Sequence, residues 1–422
     1  MPRPPRRFVA EPFGYHEEIE LRIDSLSNTG LGIGRTRVAR NEADGKGDPD
    51  AEWVVFVPFC LPGERVRARI FRNEKNCSHA DLAEVLDASP DRRAPRCPLF
   101  GTCGGCQYQH LDYQRQLEWK TRQVGELLRH MAGIEHEVAP CRPSPAIWNY
   151  RSKITPHFDR PRNGKPEAIG FLAFSRRSQT VDVPQCPIAM ETLNEALPKV
   201  REEARAKTYK RGATLLLRAA GDRVETNPNI PVREEVGGLR FDFLAGDFFQ
   251  NNPFILPDFV GYAAERASEG GMRHLIDAYC GSGLFALSLA RRFEEVVGVE
   301  ISESAVDWAR RNAETNGIGN AKFLAASAEA VFAGIAFPPG ESCVLIDPPR
   351  KGCTPGFLDQ LAAFAPARIV YVSCNPATQI RDLVRLRESG YDLKDVQPFD
   401  LFPHTRHLEC IMTFERTQRV TN

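Results

Sequence analysis

Leu275-Ile-Asp277-Ala-Tyr279-Cys-Gly281-Ser-Gly283, followed by the apolar run Leu284–Arg292, is the stretch that decides the fold. A short run of buried-strand character enters a turn whose glycines let the backbone approach a ligand closely, and the spacing beyond it is helical. Working outward, Glu295-Val-Val-Gly-Val-Glu300 reads as the next strand, Ser304–Asn316 as a helix and Ala321-Lys-Phe-Leu324 as a third strand. Cys343-Val-Leu-Ile-Asp347, Ile369-Val-Tyr-Val-Ser373 and Cys410-Ile-Met-Thr-Phe414 continue the series. Strand alternating with helix implies a parallel sheet with crossover helices, a Rossmann-like doubly wound domain over residues 246–422.

The rest of the 422-residue chain is long enough for further cores. Between residues 10 and 90, short alternating strands (Glu18–Ile23, Trp53–Pro58, Arg65–Phe71, Ala83–Leu86), with Gly30-Leu-Gly-Ile-Gly34 as a turn and 41–51 as an exposed loop, suggest a small OB-like β-barrel. A Pro/Arg-rich joint, Ser89–Pro95, separates it from a central α+β domain, 91–245. That domain holds a cysteine cluster, helical spacing over His110–Met131 and a helix near Met190–Ala206. The whole is a multi-domain α/β protein.

Lys+Arg and Asp+Glu both number 55, and 42% of residues are hydrophobic. These values disfavour disorder, and net neutrality disfavours coating nucleic acid by bulk charge. Between Cys141 and Cys186, however, eight basic residues (Arg142, Arg151, Lys153, Arg160, Arg162, Lys165, Arg176, Arg177) face three acids, a candidate phosphate-facing surface. No apolar run approaches a membrane span, and the arginine-rich start is not followed by a signal-peptide apolar region, so a cytoplasmic location is expected, with a monomer as the default.

The glycine turn lacks the third glycine of dinucleotide enzymes: Ala286 stands where it would be sought. Glu300 ends the following strand, placed to accept hydrogen bonds from ribose hydroxyls. Asp277, Gly281, Gly283 and Glu300, with Tyr279 in the same turn, read as an S-adenosylmethionine site. At the next strand tips stand Asp347-Pro-Pro-Arg350 and Ser373-Cys374-Asn-Pro376, on the edge where α/β sheets bind ligands. A lone cysteine is usually a packing residue, but Cys374 at a strand tip before Asn-Pro suits a nucleophile. His407-Leu-Glu409 places an acid before the last strand, and Phe248-Phe-Gln250-Asn-Asn252 offers an aromatic and amides for a base edge or a cofactor.

These motifs, in this order, resemble the class I S-adenosylmethionine-dependent RNA uracil-C5 methyltransferases, which make 5-methyluridine in ribosomal and transfer RNA. The resemblance spans nearly the whole chain, including an N-terminal barrel similar to the TRAM domain and Cys97-x5-Cys103-Gly-Gly-Cys106. It implies Cys374 as the nucleophile adding to uracil C6, and Glu409 as the base removing the C5 proton. It implies that Gln250 and Asp347 position cofactor or uracil, and that Phe248 and Arg350 contact the substrate. An aromatic after Asp-Pro-Pro would suit exocyclic-amine methylation, and a cysteine within that motif would suit cytosine-C5 methylation; Arg350 and the two prolines supply neither. Where the family often places an acid against adenine, the chain reads Ala325-Ala-Ser327-Ala-Glu329.

Twelve cysteines in a chain of this kind favour reduced or ligating thiols over disulfides. Cys97, Cys103, Cys106 and Cys186 could hold zinc or an iron–sulfur cluster, and spacing alone does not choose. The resemblance implies a 4Fe-4S cluster and, with it, ribosomal RNA as the favoured substrate and transfer RNA as the alternative. The rivals are a non-catalytic RNA-binding protein retaining the fold and a radical methylthiotransferase, whose Cys-x3-Cys-x2-Cys spacing is missing here.

Overall fold

The computed structural model describes residues 5, 8–38, 52–161, 163–174, 178–327 and 330–417. The expected loop 41–51, Arg162, Arg176, Arg177 and Glu329 lie outside them. The chain divides into two compact units, the first comprising 1–119, 173–176 and 404–406, the second 120–172, 177–403 and 407–422.

The first unit holds a closed barrel of five strands, β1 (Glu18–Leu26), β2 (Leu31–Arg37), β3 (Glu52–Pro58), β4 (Arg65–Asn73) and β5 (Cys77–Asp87), in the order β1-β2-β3-β5-β4. Alternating residues of these strands, among them Leu21, Ile23, Val55, Val57, Val66, Ala68 and Ile70, fill its interior. The glycine stretch expected as a turn is largely strand β2, and the reason is steric. A Cβ on Gly32 would lie 2.3 Å from Cys60 Sγ and one on Gly34 2.2 Å from Leu21 Cδ1, so the barrel closes only because those side chains are missing.

Helix α1 (Tyr113–Leu127) ends in a π-turn at Leu128–Ala132. In the second unit, β6–β14 are short (Lys153–Ile154, His157–Phe158, Gly170–Leu172, Thr180–Asp182, Ala213–Thr214, Leu217–Ala220, Arg223–Glu225, Pro231–Val236 and Leu239–Leu244). They form sheets of order β10-β7-β8-β9 and β12-β11-β6 and the hairpin β13-β14, with helix α2 (Glu191–Ala206) packed on β11 and β12. Helix α3 (Leu256–Ser268) leads into a seven-stranded sheet: β15 (His274–Ala278), β16 (Glu295–Glu300), β17 (Ala321–Ala325), β18 (Ser342–Ile346), β19 (Arg368–Ser373), β20 (Tyr391–Phe399) and β21 (Glu409–Arg416). Its order is β17-β16-β15-β18-β19-β21-β20. Helices α4 (Leu284–Leu289), α5 (Glu303–Thr315), α6 (Pro355–Phe364) and α7 (Pro376–Glu388) connect the parallel strands.

The sheet is not wholly parallel as expected: β21 runs antiparallel to both β19 and β20. No helix intervenes between β20 and β21, so the chain returns as a hairpin rather than a crossover. Apolar strands such as Cys343-Val-Leu-Ile346 are buried on both faces, one against α3, α4 and α5, the other against α6 and α7.

Candidate functional site

The antiparallel turn of β21 builds the site. Ser373, last in β19, pairs with Cys410, so Glu409 at the start of β21 stands beside Cys374, just past the end of β19. Asp347, just past the neighbouring β18, shares this edge. A parallel β21 would have carried Glu409 to the far end of the sheet.

A cavity of about 770 Å³ opens there, lined by Phe248, Gln250, Tyr279, Gly281, Glu300, Asp347, Arg350, Cys374 and Glu409. Nine residues singled out in the sequence therefore meet in one space, large enough for a nucleotide-sized ligand. Asp277 and Gly283 are not on its lining. Asp277 is buried beneath the glycine turn, where Oδ2 accepts the Ala286 amide at 2.7 Å. Gly283 is a packing site, since a Cβ would come within 3.1 Å of Leu287 Cδ1.

The glycine turn has an unusual backbone. Tyr279, Gly281 and Gly283 all have positive φ (68°, 53° and 92°), which glycine accommodates and tyrosine rarely adopts. The Tyr279 and Cys280 amides donate to Val299 O, while the Gly281 amide donates to Glu300 Oε2 at 3.2 Å. The Ser302 amide donates to Oε1 of the same carboxylate at 2.9 Å, so Glu300 is fixed at the cavity wall.

The sequence reading missed Ile301, Ser302, Phe243, Leu284 and Phe285 on the lining. Ile301 is 73% exposed, an apolar surface left uncovered beside Glu300. Its signal was its place directly after the ribose-type acid. Ala326 lines the cavity near the Ser327 position.

Acids crowd this cavity. Burial pushes the Asp347 carboxyl up to about 7. Burial, aided by Asp347, raises Glu409 well above the carboxylate range. Burial pushes the Cys374 thiol up to about 12; Glu409 and Asp347 add to the push and Arg350 opposes it. Asp277 is likewise raised by burial. Burial and mutual repulsion thus favour the uncharged forms of the thiol and of these acids over their charged forms. A thiolate formed from so weak an acid is a strong nucleophile, and a carboxylate of raised pKa a competent base.

Comparison with known proteins fits this arrangement. The model of the tRNA (Uracil-5-)-methyltransferase family matches residues 188–337 and 340–417, and that of the TRAM domain matches 16–83. The chain is 41% identical to the tRNA (uracil(54)-C(5))-methyltransferase of Schizosaccharomyces pombe, covering 96% of this chain and 79% of the relative.

The chain belongs to the tRNA (uracil-5-)-methyltransferase family.

The enzyme of the same name from Saccharomyces cerevisiae is 33% identical, covering 95% of this chain and 74% of the relative. Among solved structures, the Pyrococcus abyssi tRNA (uracil-54, C5)-methyltransferase in complex with S-adenosyl-L-homocysteine shares 26% identity with a TM-score of 0.69, covering 94% of this chain and all of that one. The present protein is thus an S-adenosylmethionine-dependent RNA uracil-C5 methyltransferase with an N-terminal TRAM barrel.

Two further expectations concern the basic segment and the cysteines. On the segment between Cys141 and Cys186, Arg142 pairs with Asp258 at 2.5 Å and lies 4.6 Å over the Tyr262 ring, and Arg151 bonds Lys153 O, so these cations are engaged within the protein. Cys97, Cys103 and Cys106 share one loop of the first unit, while Cys186 belongs to the second. Turns from Cys97 O to Phe100 N and from Leu99 O to Cys103 N, with Gln109 Oε1 accepting the Cys97 amide, fix the loop. None of the twelve cysteines forms a disulfide. Three partly buried thiols, close together in sequence on a turn-rich loop, are of a donor type that binds metals or clusters. Among the described residues, no helix is long and apolar enough to cross a membrane.

Proposed function

We propose that this enzyme forms 5-methyluridine in transfer RNA, with Cys374 as nucleophile and Glu409 as base. The observation that carries the substrate is the 41% identity, over 96% of the chain, to a relative named for uracil-54 of transfer RNA. Ribosomal RNA, the substrate expected from the cluster motif, is the alternative.

In this proposal Tyr279, Gly281 and Glu300 bind the cofactor, with Gln250 and Asp347 at its junction with the uracil. Asp277 and Gly283 shape the turn that holds it. Phe248 and Arg350 contact the RNA. The cofactor supplies the methyl group as an electrophile. Cys374 gives its proton to solvent, and its sulfur electron pair forms the S–C6 bond while the C5=C6 π pair moves onto C5; C5 takes the methyl group, and the pair of the broken S–CH3 bond would stay with the departing S-adenosyl-L-homocysteine. Glu409 then removes the C5 proton; the C–H pair re-forms C5=C6 and expels the thiolate. What supports the pairing of roles is that both side chains line one cavity at adjoining ends of two paired antiparallel strands. The uridine must leave its stack to enter, which costs a few kcal/mol in a duplex and less in a loop.

The division at about residues 90 and 245 is proposed as a barrel for RNA, a cysteine-bearing central part and the catalytic domain. Cys97, Cys103, Cys106 and Cys186 are proposed to hold a 4Fe-4S cluster, whose part is structural or RNA-orienting rather than redox-catalytic, since the methyl transfer moves no net electrons. Cys106→Ser should then lose iron, sulfide and brown colour and melt at a lower temperature; a colourless wild type holding zinc would overturn the cluster.

For the reaction, purified protein is incubated with labelled S-adenosylmethionine and unmodified transfer RNA or ribosomal RNA transcripts, and the nucleosides are resolved by mass spectrometry. Label in 5-methyluridine of transfer RNA is expected. Label confined to ribosomal RNA would overturn the substrate, and label in another nucleoside the chemistry.

A further inference from the structure

The loop 245–250 presents Phe248 and Gln250 to the cavity, and two cations hold it from behind. Lys153 Nζ donates to Gly246 O at 2.8 Å and Asp247 O at 3.0 Å. Arg218, a fully buried residue, donates from Nε to Ala245 O at 2.9 Å and from Nη2 to Asp247 O at 2.8 Å. Three successive carbonyls thus receive four hydrogen bonds from positively charged donors. The amides of the same residues are bonded elsewhere, to Ile230 O, Pro228 O and Leu244 O. The Arg218 guanidinium also lies 5.0 Å from the Phe243 ring centre, and Phe249 stacks on that ring at 4.4 Å and 7°.

Placing two cations here is costly. Burial, with repulsion from Arg218, lowers the Lys153 ammonium to about 8, and burial lowers Arg218 to about 10. Arg218 Nη1 has no hydrogen-bond partner among the described residues. Buried charge whose bonds all end on one backbone segment fixes that segment's place more firmly than neutral donors would. The loop's other end is tied separately: Asn251 O accepts the Ser152 amide, and Asn252 Nδ2 donates to Ser144 Oγ and Leu401 O. Gln250 sits next to that second anchor. Phe248, 76% exposed, follows directly on the carbonyls held by the cations.

We propose that Lys153 and Arg218 are positioning residues for the RNA substrate: they clamp the carbonyls of Ala245, Gly246 and Asp247 so that Phe248 projects into the cavity as a fixed aromatic surface for the RNA base. The inference rests on the proposed role of Phe248 and goes beyond it in naming what holds that residue. Loss of the clamp loosens Phe248 while Gln250, on its own anchor, stays in place.

The test compares Lys153→Met with Lys153→Arg, which can still donate to two carbonyls, and Arg218→Lys, which keeps the charge but not the fork. With unmodified transfer RNA transcript, Lys153→Met should raise KM for RNA about tenfold, leave kcat within about threefold and leave S-adenosyl-L-homocysteine affinity within about twofold; Lys153→Arg should recover most of the KM. Arg218→Lys should give the same split. In a second readout without RNA turnover, Phe248→Trp is made in the wild-type and Lys153→Met backgrounds, and the anisotropy decay of the added indole is read by difference from the parent proteins. Faster local motion in the Lys153→Met background is expected. Unchanged KM together with unchanged indole motion would overturn the clamp, even if melting temperature fell. If the wild type methylates no uridine, the proposed reaction fails, while the indole measurement still decides the clamp.

Discussion

Strand β4 of the barrel and the catalytic cavity treat charge in opposite ways. On β4, Arg65, Arg67 and Arg69 are each partly exposed and each paired: Arg65 with Glu20 and Asp87, Arg67 with Glu20 and Glu84, Arg69 with Glu18, at 2.6–3.2 Å. Around the cavity, Asp277, Glu300, Asp347 and Glu409 form no ion pair among the described residues, and three of them are raised in pKa by burial. Exposed, paired charges are nearly neutral in free energy, whereas buried, unpaired carboxylates cost stability. In the proposed mechanism that cost falls where a base and a nucleophile are needed.

The comparison predicts a graded series of effects. Cys374→Ala should lower methylation by about 10³-fold or more, because the other cysteine on the cavity, Cys280, is buried in the glycine turn with its thiol bonded to Gly281 O, while S-adenosyl-L-homocysteine still binds by calorimetry. Residual turnover near the wild-type rate would remove Cys374 from the chemistry. Glu409→Gln should slow turnover roughly 10²–10⁴-fold and accumulate a covalent enzyme–RNA adduct, seen as a slow band on a denaturing gel. Normal turnover without the band would reassign the base.

Asp347→Asn tests the energetic half of the contrast. Because the folded state raises this carboxyl from 3.8 to about 7, the folded protein holds the proton more tightly than the unfolded chain. Its stabilising contribution is full below about pH 4 and is lost as pH rises to about 7. The asparagine variant should therefore match the wild type in unfolding free energy at pH 4 and exceed it at pH 8, by on the order of 2–4 kcal/mol. Glu409 shifts in the same direction, so the variant keeps part of the wild type's pH dependence. Equal melting curves at both pH values would mean that the cavity does not strain this acid. At the small end, Arg67→Ala should change unfolding free energy in urea by less than about 1 kcal/mol. A larger loss would show that the β4 pairs act as a network and would erase the contrast.

Much of this was legible in local pattern. The strand–turn–helix at Leu275–Arg292, the alternation beyond it and the barrel strands follow from periodicity and turn chemistry, and nine of the residues noted there line one cavity. Gly32 and Gly34 misled, because glycine pairs signal turns by default and the close approach of Cys60 and Leu21 is set by residues distant in sequence. Asp277 and Gly283 carry the signature of the cofactor turn, yet they act from beneath it. Ile301 was passed over because an isolated apolar residue after a strand has no period to mark it.

The sequence by itself determined the succession of strands and helices, the chemistry available at each strand tip and the presence of clustered thiols, since these depend on residue type and near neighbours. Only the tertiary structure decided that β21 runs against β19, which brings Glu409 beside Cys374. Only it decided that Lys153 and Arg218, 65 residues apart in sequence, between them close on three successive carbonyls and meet on that of Asp247. Strand direction and buried charge are settled by which long-range contacts satisfy backbone groups and exclude water, and no local window contains that information.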